Sequence, residues 1–173
     1  MPKAQMLLKT KSELVPGDMI IYPYLWSWQA ERGQHQAEKV RPCIVAEKFP
    51  LDASENLIAL LPITSTPIND WNVRSLIPSE ERKRVGMDPT RAQSINISDV
   101  NLEVVEESPR ICAKIGHWTF SKEYLDEVRR RFKTLHRKSQ LSVSDGGPAL
   151  LHTVDRKKLD EMEPELAPAS LTM

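Results

Sequence analysis

Cysteine is scarce in this sequence, and its two copies, Cys43 and Cys112, lie far apart. No Cys-x-x-Cys pair is present, and the spacing is unlike the dense framework of a disulfide-stapled secreted domain. Two isolated cysteines are typical of a reducing compartment, where free thiols pack as small apolar groups. We therefore expect no disulfide scaffold, and we expect both cysteines to be buried.

Long apolar runs are also missing. No stretch approaches the ~18 consecutive apolar residues that a membrane-spanning helix needs. The first twenty residues lack the apolar core of a secretion signal. The sequence therefore predicts a soluble, cytoplasmic protein without membrane contact.

The chain has no excess of charge of either sign, because 24 Lys and Arg residues balance 24 Asp and Glu residues. Proteins that bind nucleic acid through bulk charge are basic, so any nucleic-acid contact here must use a local patch. The histidines and cysteines lack the spacing of metal ligands, and no glycine-rich phosphate loop is present. We therefore predict no metal ion and no cofactor.

One domain with a polar segment at each end is the predicted organisation. The 173 residues, 40% of them hydrophobic, are enough for one compact core. Residues 1–14 are polar and lysine-bearing, and the turn residues VPGD at 15–18 open the first strand of a domain predicted to span 15–138. Residues 139–173 are polar and interrupted by glycine and proline, so we expect a weakly ordered tail.

Five or six short β-strands are predicted before residue 121. Each is a largely apolar run bounded by turn residues: MIIYPYL, CIVAEKF, LIALLPI, NDWNVRSLIP, AQSINISDVNLEVV and RICAKIG. From Ser121 the apolar residues recur at every third or fourth position, and serine is a competent N-cap, so a helix begins there. The chain is predicted to be mainly β with a C-terminal helix, an α+β fold in which the helix lies against or beside a curled antiparallel sheet.

The second half of this predicted helix contains six cationic residues. They are Arg129, Arg130, Arg131, Lys133, Arg137 and Lys138. Cations near a helix C-terminus complement the helix dipole, and charge runs are usually solvated. We therefore interpret them as a solvated helix end in preference to an RNA-binding patch.

Two predicted strands carry a proline next to a polar side chain. Pro42 holds Arg41 in an extended conformation and removes a hydrogen-bond donor, so Arg41 is expected where a strand begins, with its guanidinium pointing outward. Pro62 stands two residues before Thr64, near the end of another predicted strand. A guanidinium suits a phosphate, because its planar fork of donors stays charged and binds two oxygens at once. If the two strands are neighbours, their polar ends lie side by side.

Six pieces of the sequence together resemble a known family. They are GD at 17–18, GQHQ at 33–36, RPCIV at 41–45, PITS at 62–65, GMDPTRAQSINI at 86–97 and IGHWTFSKEYLDEV at 115–128. In that order they are similar to the MazF and PemK toxins of bacterial toxin-antitoxin pairs, over residues 15–132.

The resemblance implies both a fold and a chemistry. The fold is a small Src-homology-3-like barrel of five to seven antiparallel strands, as in the MazF, PemK and CcdB toxins. The protein would form a homodimer, be silenced by a cognate antitoxin and meet DNA only through the antitoxin complex. The chemistry is metal-independent cleavage of single-stranded RNA through its own 2′-hydroxyl. The catalytic arginine of the family falls on Arg41 and its catalytic threonine on Thr64, with Ser65 as a helper.

The segment between the first two strands departs from the family and carries the predicted RNA-binding residues. It contains Tyr24, Trp26 and Trp28, which would stack splayed bases or else cap the barrel. His35 stands where the family often has glutamate, and it is either a general acid or base or an isolated surface histidine. The predicted RNA-binding set is His35, Gln36, Trp26, Trp28 and Lys39.

Two other functions stay open at this point, because one barrel fold hosts several activities. The chain is alternatively a non-catalytic module that inhibits a protein target, as CcdB toxins inhibit DNA gyrase. It is otherwise an inactive relative that acts as a regulator.

Overall fold

The computed structural model describes the backbone of residues 4–166 and the side chains of residues 4–162. The strands are β1 (Leu7–Thr10), β2 (Asp18–Tyr22), β3 (Arg41–Pro50), β4 (Asn56–Thr64), β5 (Arg74–Leu76), β6 (Ser94–Asn96), β7 (Asp99–Val104), β8 (Lys114–Thr119) and β9 (His152–Asp155). The helices are α1 (Ser27–Glu31), α2 (Ser79–Arg84), α3 (Lys122–Ser144) and α4 (Arg156–Leu166), and a short 3-10 turn covers Lys11–Glu13.

The strands form one mainly antiparallel sheet. Its main path runs β1-β8-β2-β3-β4-β6-β5, and β7 branches from β4 to pair with β9. All pairs are antiparallel except β7 with β9. The prediction of a mainly β, α+β fold with a C-terminal helix is confirmed. Within the described residues, however, the sheet has nine strands and does not close into a barrel. Two of these strands, β1 and β9, come from segments that were not expected to contribute strands.

The centre of the sheet is buried on both faces. Successive side chains of a strand point to opposite faces, and residues 43–47 of β3 are all buried. Ile44 packs with Val128 and Phe132 in a core beneath α3. Cys43 packs in a second core on the opposite face. A continuous apolar run therefore marks a strand covered on both sides.

The predicted C-terminal helix is confirmed and extends beyond residue 138. The hydroxyl of Ser121 accepts a hydrogen bond from the amide of Tyr124 at 3.2 Å, which caps the first turn of α3. Its cations are not all solvated, because Arg129 forms an ion pair with Glu47 of β3 at 2.7 Å. Burial alone would raise the pKa of Glu47, but the hydrogen bonds and charge of Arg129 and Lys133 hold it below its usual value.

The C-terminal segment is ordered through residue 166, which differs from the weakly ordered tail expected for 139–173. Residues 139–144 continue α3, and β9 and α4 follow. Val154 and Leu151 enter the core, and Arg156 is 2% exposed. The polar composition of the segment predicted a loose tail. Composition does not reveal that Arg156 is buried and held by hydrogen bonds. Residues 167–173 lie outside the described part of the chain.

The N-terminal segment also joins the sheet. Its strand β1 pairs with β8, and Lys9 forms an ion pair with the buried carboxylate of Asp18 at 2.7 Å. Order therefore begins before residue 15, where the domain was predicted to start. Residues 1–3 of this segment lie outside the described range.

The two cysteines have different surroundings. Cys43 is buried as predicted, and burial raises the pKa of its thiol. Cys112 is exposed, which corrects the prediction that both thiols are buried. None of the helices in the described range has the length and apolar character needed to cross a membrane.

Candidate functional site

An open cavity of about 630 Å³ lies where several strands begin or end. Its wall includes Arg41 at the start of β3 and Thr64 at the end of β4. The same cavity is lined by Ser65, Trp26, Trp28 and Lys39. Six of the eight residues predicted from sequence to bind or cleave RNA therefore share one cavity.

The strand register explains why Arg41 and Thr64 meet. Cys43 of β3 is the antiparallel partner of Pro62 of β4. Arg41 lies two residues before Cys43, and Thr64 lies two residues after Pro62. Because antiparallel partners move in opposite directions along the chain, both residues reach the same end of their strands. Pro42 is the second residue of β3 and pairs with Ile21, next to Arg41 and Tyr22, the last pair of the ladder between β2 and β3.

Arg41 presents an unused donor at this cavity. Its guanidinium carbon lies 5.0 Å from the centre of the Trp26 ring, a cation–π contact that fixes the side chain. Its Nε is buried and has no hydrogen-bond partner within the described range. Buried donors are nearly always paired, so this Nε is an exception, as are the Nε atoms of Arg82 and Arg156.

Thr64 is fixed at the end of β4 by a hydroxyl turn. Its side chain donates to the hydroxyl of Thr66 at 3.0 Å and accepts from the amide of Thr66 at 3.1 Å. Such turns end a strand and hold the next residues in place. The residue is only 8% exposed, whereas Ser65 beside it is exposed to the cavity.

Two further arginines line the cavity and were missed by sequence reasoning. Arg74 donates to the hydroxyl of Ser94 at 3.1 Å and to the carbonyl of Thr66 at 3.3 Å. Arg91 donates to the hydroxyl of Ser65 at 3.1 Å. Burial lowers the pKa of Arg74, since desolvation disfavours its charge. Arg91 lies within GMDPTRAQSINI, one of the resembling pieces, but nothing in that piece singles it out.

The charge of the cavity is strongly unbalanced. Lys39, Arg41, Arg74 and Arg91 face it, and Asp99 is the one carboxylate of its wall in the part of the chain described. Asp99 is already engaged, because it accepts from the Tyr24 hydroxyl at 2.6 Å and from the hydroxyl and amide of Ser27. Burial raises the pKa of Asp99, and these hydrogen bonds offset part of that rise. The neutral chain thus has the local cationic patch that nucleic-acid binding requires.

The aromatic wall of the cavity consists of two tryptophans. Trp26 is half-buried beneath Arg41 and contacts the ring of Tyr24 edge-on at 5.2 Å. Trp28 is 48% exposed, and the guanidinium of Arg32 lies 5.1 Å from its ring centre. Tyr24 was expected either to stack a base or to cap the barrel, and it is buried, with its hydroxyl bonded to a partner inside the protein. The aromatic rings that line the cavity are therefore those of the two tryptophans.

Polar residues of β7 and α4 hold the segment that carries this wall. The side chain of Asn101 accepts from the amide of Leu25 at 3.0 Å and donates to its carbonyl at 2.6 Å. Arg156 donates to the carbonyl of Pro23 at 2.8 Å and to the Asn101 side chain at 3.0 Å. The ordered C-terminal segment thus helps to position Trp26.

His35 and Gln36 are not brought to this cavity. Gly33, with a φ of 85°, ends α1 and turns the chain away from Trp28. Both residues line a separate cavity of about 650 Å³, together with Arg110 and Arg156. The Nδ1 atom of His35 is buried there.

No three His, Cys, Asp or Glu side chains of the described residues are grouped to hold a metal ion. No model of a known protein family matches the chain, and no curated protein matches it. The similarity to the MazF and PemK family therefore stays a prediction.

Proposed function

We propose that the protein is a metal-independent endoribonuclease of the MazF and PemK type, which cleaves single-stranded RNA. One observation carries the proposal: Arg41, with an unpaired Nε, and Thr64 line the same open cationic cavity. A kinship with the Src-homology-3-like fold of that family is part of the proposal, while the described strands form an open, mainly antiparallel sheet in an α+β fold.

The proposed reaction is attack of a ribose 2′-hydroxyl on the adjacent phosphorus. The 2′-hydroxyl loses its proton to water as the bond from its oxygen to phosphorus forms. The bond from phosphorus to the 5′-oxygen breaks, and the leaving oxygen takes up a proton from water, so no net proton is released. The products are a 2′,3′-cyclic phosphate and a 5′-hydroxyl. The guanidinium of Arg41 faces the charge that builds up on the phosphorane oxygens, where a fixed donor stabilises the transition state more than the ground state. Thr64 holds the same phosphate through its hydroxyl, whose proton turns from the Thr66 hydroxyl to a phosphate oxygen, and Ser65 assists.

Single-stranded RNA suits the remaining walls of the cavity. Unpaired bases stack on exposed aromatic rings, which Trp28 supplies. Lys39 adds a flexible charge beside the start of β3. His35 and Gln36 are left out of the proposed RNA site, because they line the other cavity.

The proposed biological setting rests on the resemblance alone. It is a cytoplasmic toxin that acts as a homodimer, is inhibited by an antitoxin and contacts DNA only within the toxin-antitoxin complex. A neighbouring small reading frame whose product relieves growth inhibition would support this setting. Growth inhibition that no neighbouring product relieves would count against it.

The test of the activity uses a long unstructured RNA in EDTA. We expect the purified protein to cut it, and we expect Arg41→Gln to lose about 100-fold or more of the rate, because a fixed donor to the transition state is removed. Arg130→Gln is the matched control, because Arg130 is an exposed arginine of α3 that does not line the cavity.

Two outcomes would contradict the proposal. One is the absence of cleavage on diverse RNAs, and the other is cleavage that Arg41→Gln leaves intact. Growth inhibition that survives Arg41→Gln, without any cleavage of RNA, would favour a module that inhibits a protein target.

A further inference from the structure

The turn that follows Thr64 has cationic side chains on two sides. Strand β4 lies between β3 and β6, so Arg41 approaches the turn from the β3 side. On the β6 side, Arg91 donates to the hydroxyl of Ser65, and Arg74 donates to the carbonyl of Thr66. Of these three arginines, only Arg41 belongs to the proposed catalytic pair. The charge on the β6 side has no role in the cleavage step.

The arginines on the β6 side have no acidic partner in the cavity. Neither Arg74 nor Arg91 forms an ion pair with a carboxylate among the described residues. Asp88 lies in the same loop as Arg91, but one of its oxygens accepts from the amide and hydroxyl of Thr90. Asp99 on the cavity wall is engaged by Tyr24 and Ser27.

We propose that Arg91 forms a second phosphate subsite, next to the phosphate that Arg41 and Thr64 hold with help from Ser65, whose hydroxyl accepts from Arg91. Arg74 is a positioning residue for this subsite, because it ties the carbonyl of Thr66 to Ser94 and so fixes the turn. The ligand is a single strand with at least two successive phosphodiesters. The inference rests on the proposed function for the identity of the ligand as RNA.

The first test measures how binding depends on salt. The ligand is a single-stranded 2′-O-methyl oligonucleotide, which the proposed reaction cannot cleave because its 2′-hydroxyl is blocked. Each phosphate contact to a single strand contributes about 0.7 to the slope of log affinity against log salt. We expect Arg91→Gln to reduce the slope by about 0.7 and to weaken binding about tenfold at low salt.

Arg137→Gln is the matched control. It removes the same charge from an exposed position on α3, outside the cavity, so it should keep the wild-type slope. An unchanged slope in Arg91→Gln would overturn the inference. A slope that falls in Arg137→Gln but not in Arg91→Gln would overturn it as well, and would place the binding on the cationic face of α3.

The second test varies the number of phosphates in the same 2′-O-methyl ligand. A trinucleoside diphosphate has two internal phosphates and a dinucleoside monophosphate has one. Arg91→Gln should reduce the affinity of the two-phosphate ligand several times more than that of the one-phosphate ligand. Equal losses for both ligands would overturn the subsite.

The two proposals fail in different ways. If the protein cleaves RNA but Arg91→Gln leaves the slope of log affinity against log salt unchanged, the subsite is contradicted and the proposed ribonuclease activity stands. If Arg91→Gln reduces that slope but the protein cuts no RNA, the subsite stands and the proposed cleavage is contradicted.

Discussion

Arg41 carries a charge that no carboxylate of the described residues pairs with, and its setting is unusually fixed for a half-buried arginine. The ring of Trp26 supports the guanidinium from one side, while Nε is buried without an acceptor. Desolvation without pairing is costly, and an anion bound in the cavity would offset that cost.

The positions of Arg41 and Thr64 at neighbouring strand ends could be predicted from the sequence alone. A proline after Arg41 and another before Thr64 mark where the strands begin and end. A guanidinium and a hydroxyl at those positions are groups that can bind a phosphate. Arg74 and Arg91 could not be predicted in the same way. They reach the cavity through β5 and β6, two three-residue strands whose pairing is long-range and has almost no local signal.

Trp28 offers a prediction at the same scale. Its ring is 48% exposed at the cavity, so Trp28→Leu should weaken binding of a single-stranded oligonucleotide by about 1–3 kcal/mol, the usual value of a base stacked on an aromatic ring. Fluorescence anisotropy gives the dissociation constant.

Trp71→Leu is the control for that measurement, since Trp71 is 62% exposed and lies outside the cavity. Binding that weakens equally in both variants would mean that the oligonucleotide does not stack on Trp28.

Among the elements, the segment between β2 and α1 depends on partners far along the chain. Its backbone is held by the side chains of Asn101 in β7 and Arg156 in α4. The polarity of residues 139–166 indicates a loose tail when it is read alone. Arg156 shows why that interpretation fails, since a 2% exposed arginine is accommodated by acceptors contributed from other elements.

Arg156→Met tests the role of this contact. The change leaves the carbonyl of Pro23 without its donor, so we expect a loss of about 1–3 kcal/mol in the free energy of unfolding. Exchange of the Leu25 amide hydrogen should also accelerate, because its partner Asn101 loses the support of Arg156. Hydrogen exchange followed by mass spectrometry or NMR measures this.

Val154→Ala separates positioning from general destabilisation. Val154 is a buried residue of β9, and its truncation should lower stability without a selective effect at Leu25. Equal acceleration at Leu25 in both variants, after correction for global stability, would contradict a positioning role for Arg156.

At the scale of the whole molecule, the zero net charge of the chain conceals a cavity whose charged residues are mostly cations. The sequence indicates that any nucleic-acid contact needs a local cationic patch, but which cations line the cavity depends on how the sheet folds. The fold class follows from the apolar runs and from the change of period at Ser121. The nine-stranded open sheet does not, because β1 and β9 are short strands in polar segments.

The open sheet leads to a prediction about assembly. Among residues 4–166, strand β1 pairs on one side only, and its residues Leu7 and Leu8 are exposed, as is Met6 before them. Exposed apolar edges favour pairing with another chain. Light scattering should therefore give a mass twice the 19.7 kDa of one chain, in line with the proposed homodimer. A mass of one chain at micromolar concentration would contradict it.

The most direct measurement of the central claim is the chemistry of the RNA ends. Fragments produced in EDTA by the wild-type protein, by Arg41→Gln and by Thr64→Val are compared by mass spectrometry. If Arg41 and Thr64 act on one phosphate, the wild-type fragments carry 2′,3′-cyclic phosphates and 5′-hydroxyls, and both variants yield almost none. Fragments with 5′-phosphates, or full cleavage by either variant, would contradict the account.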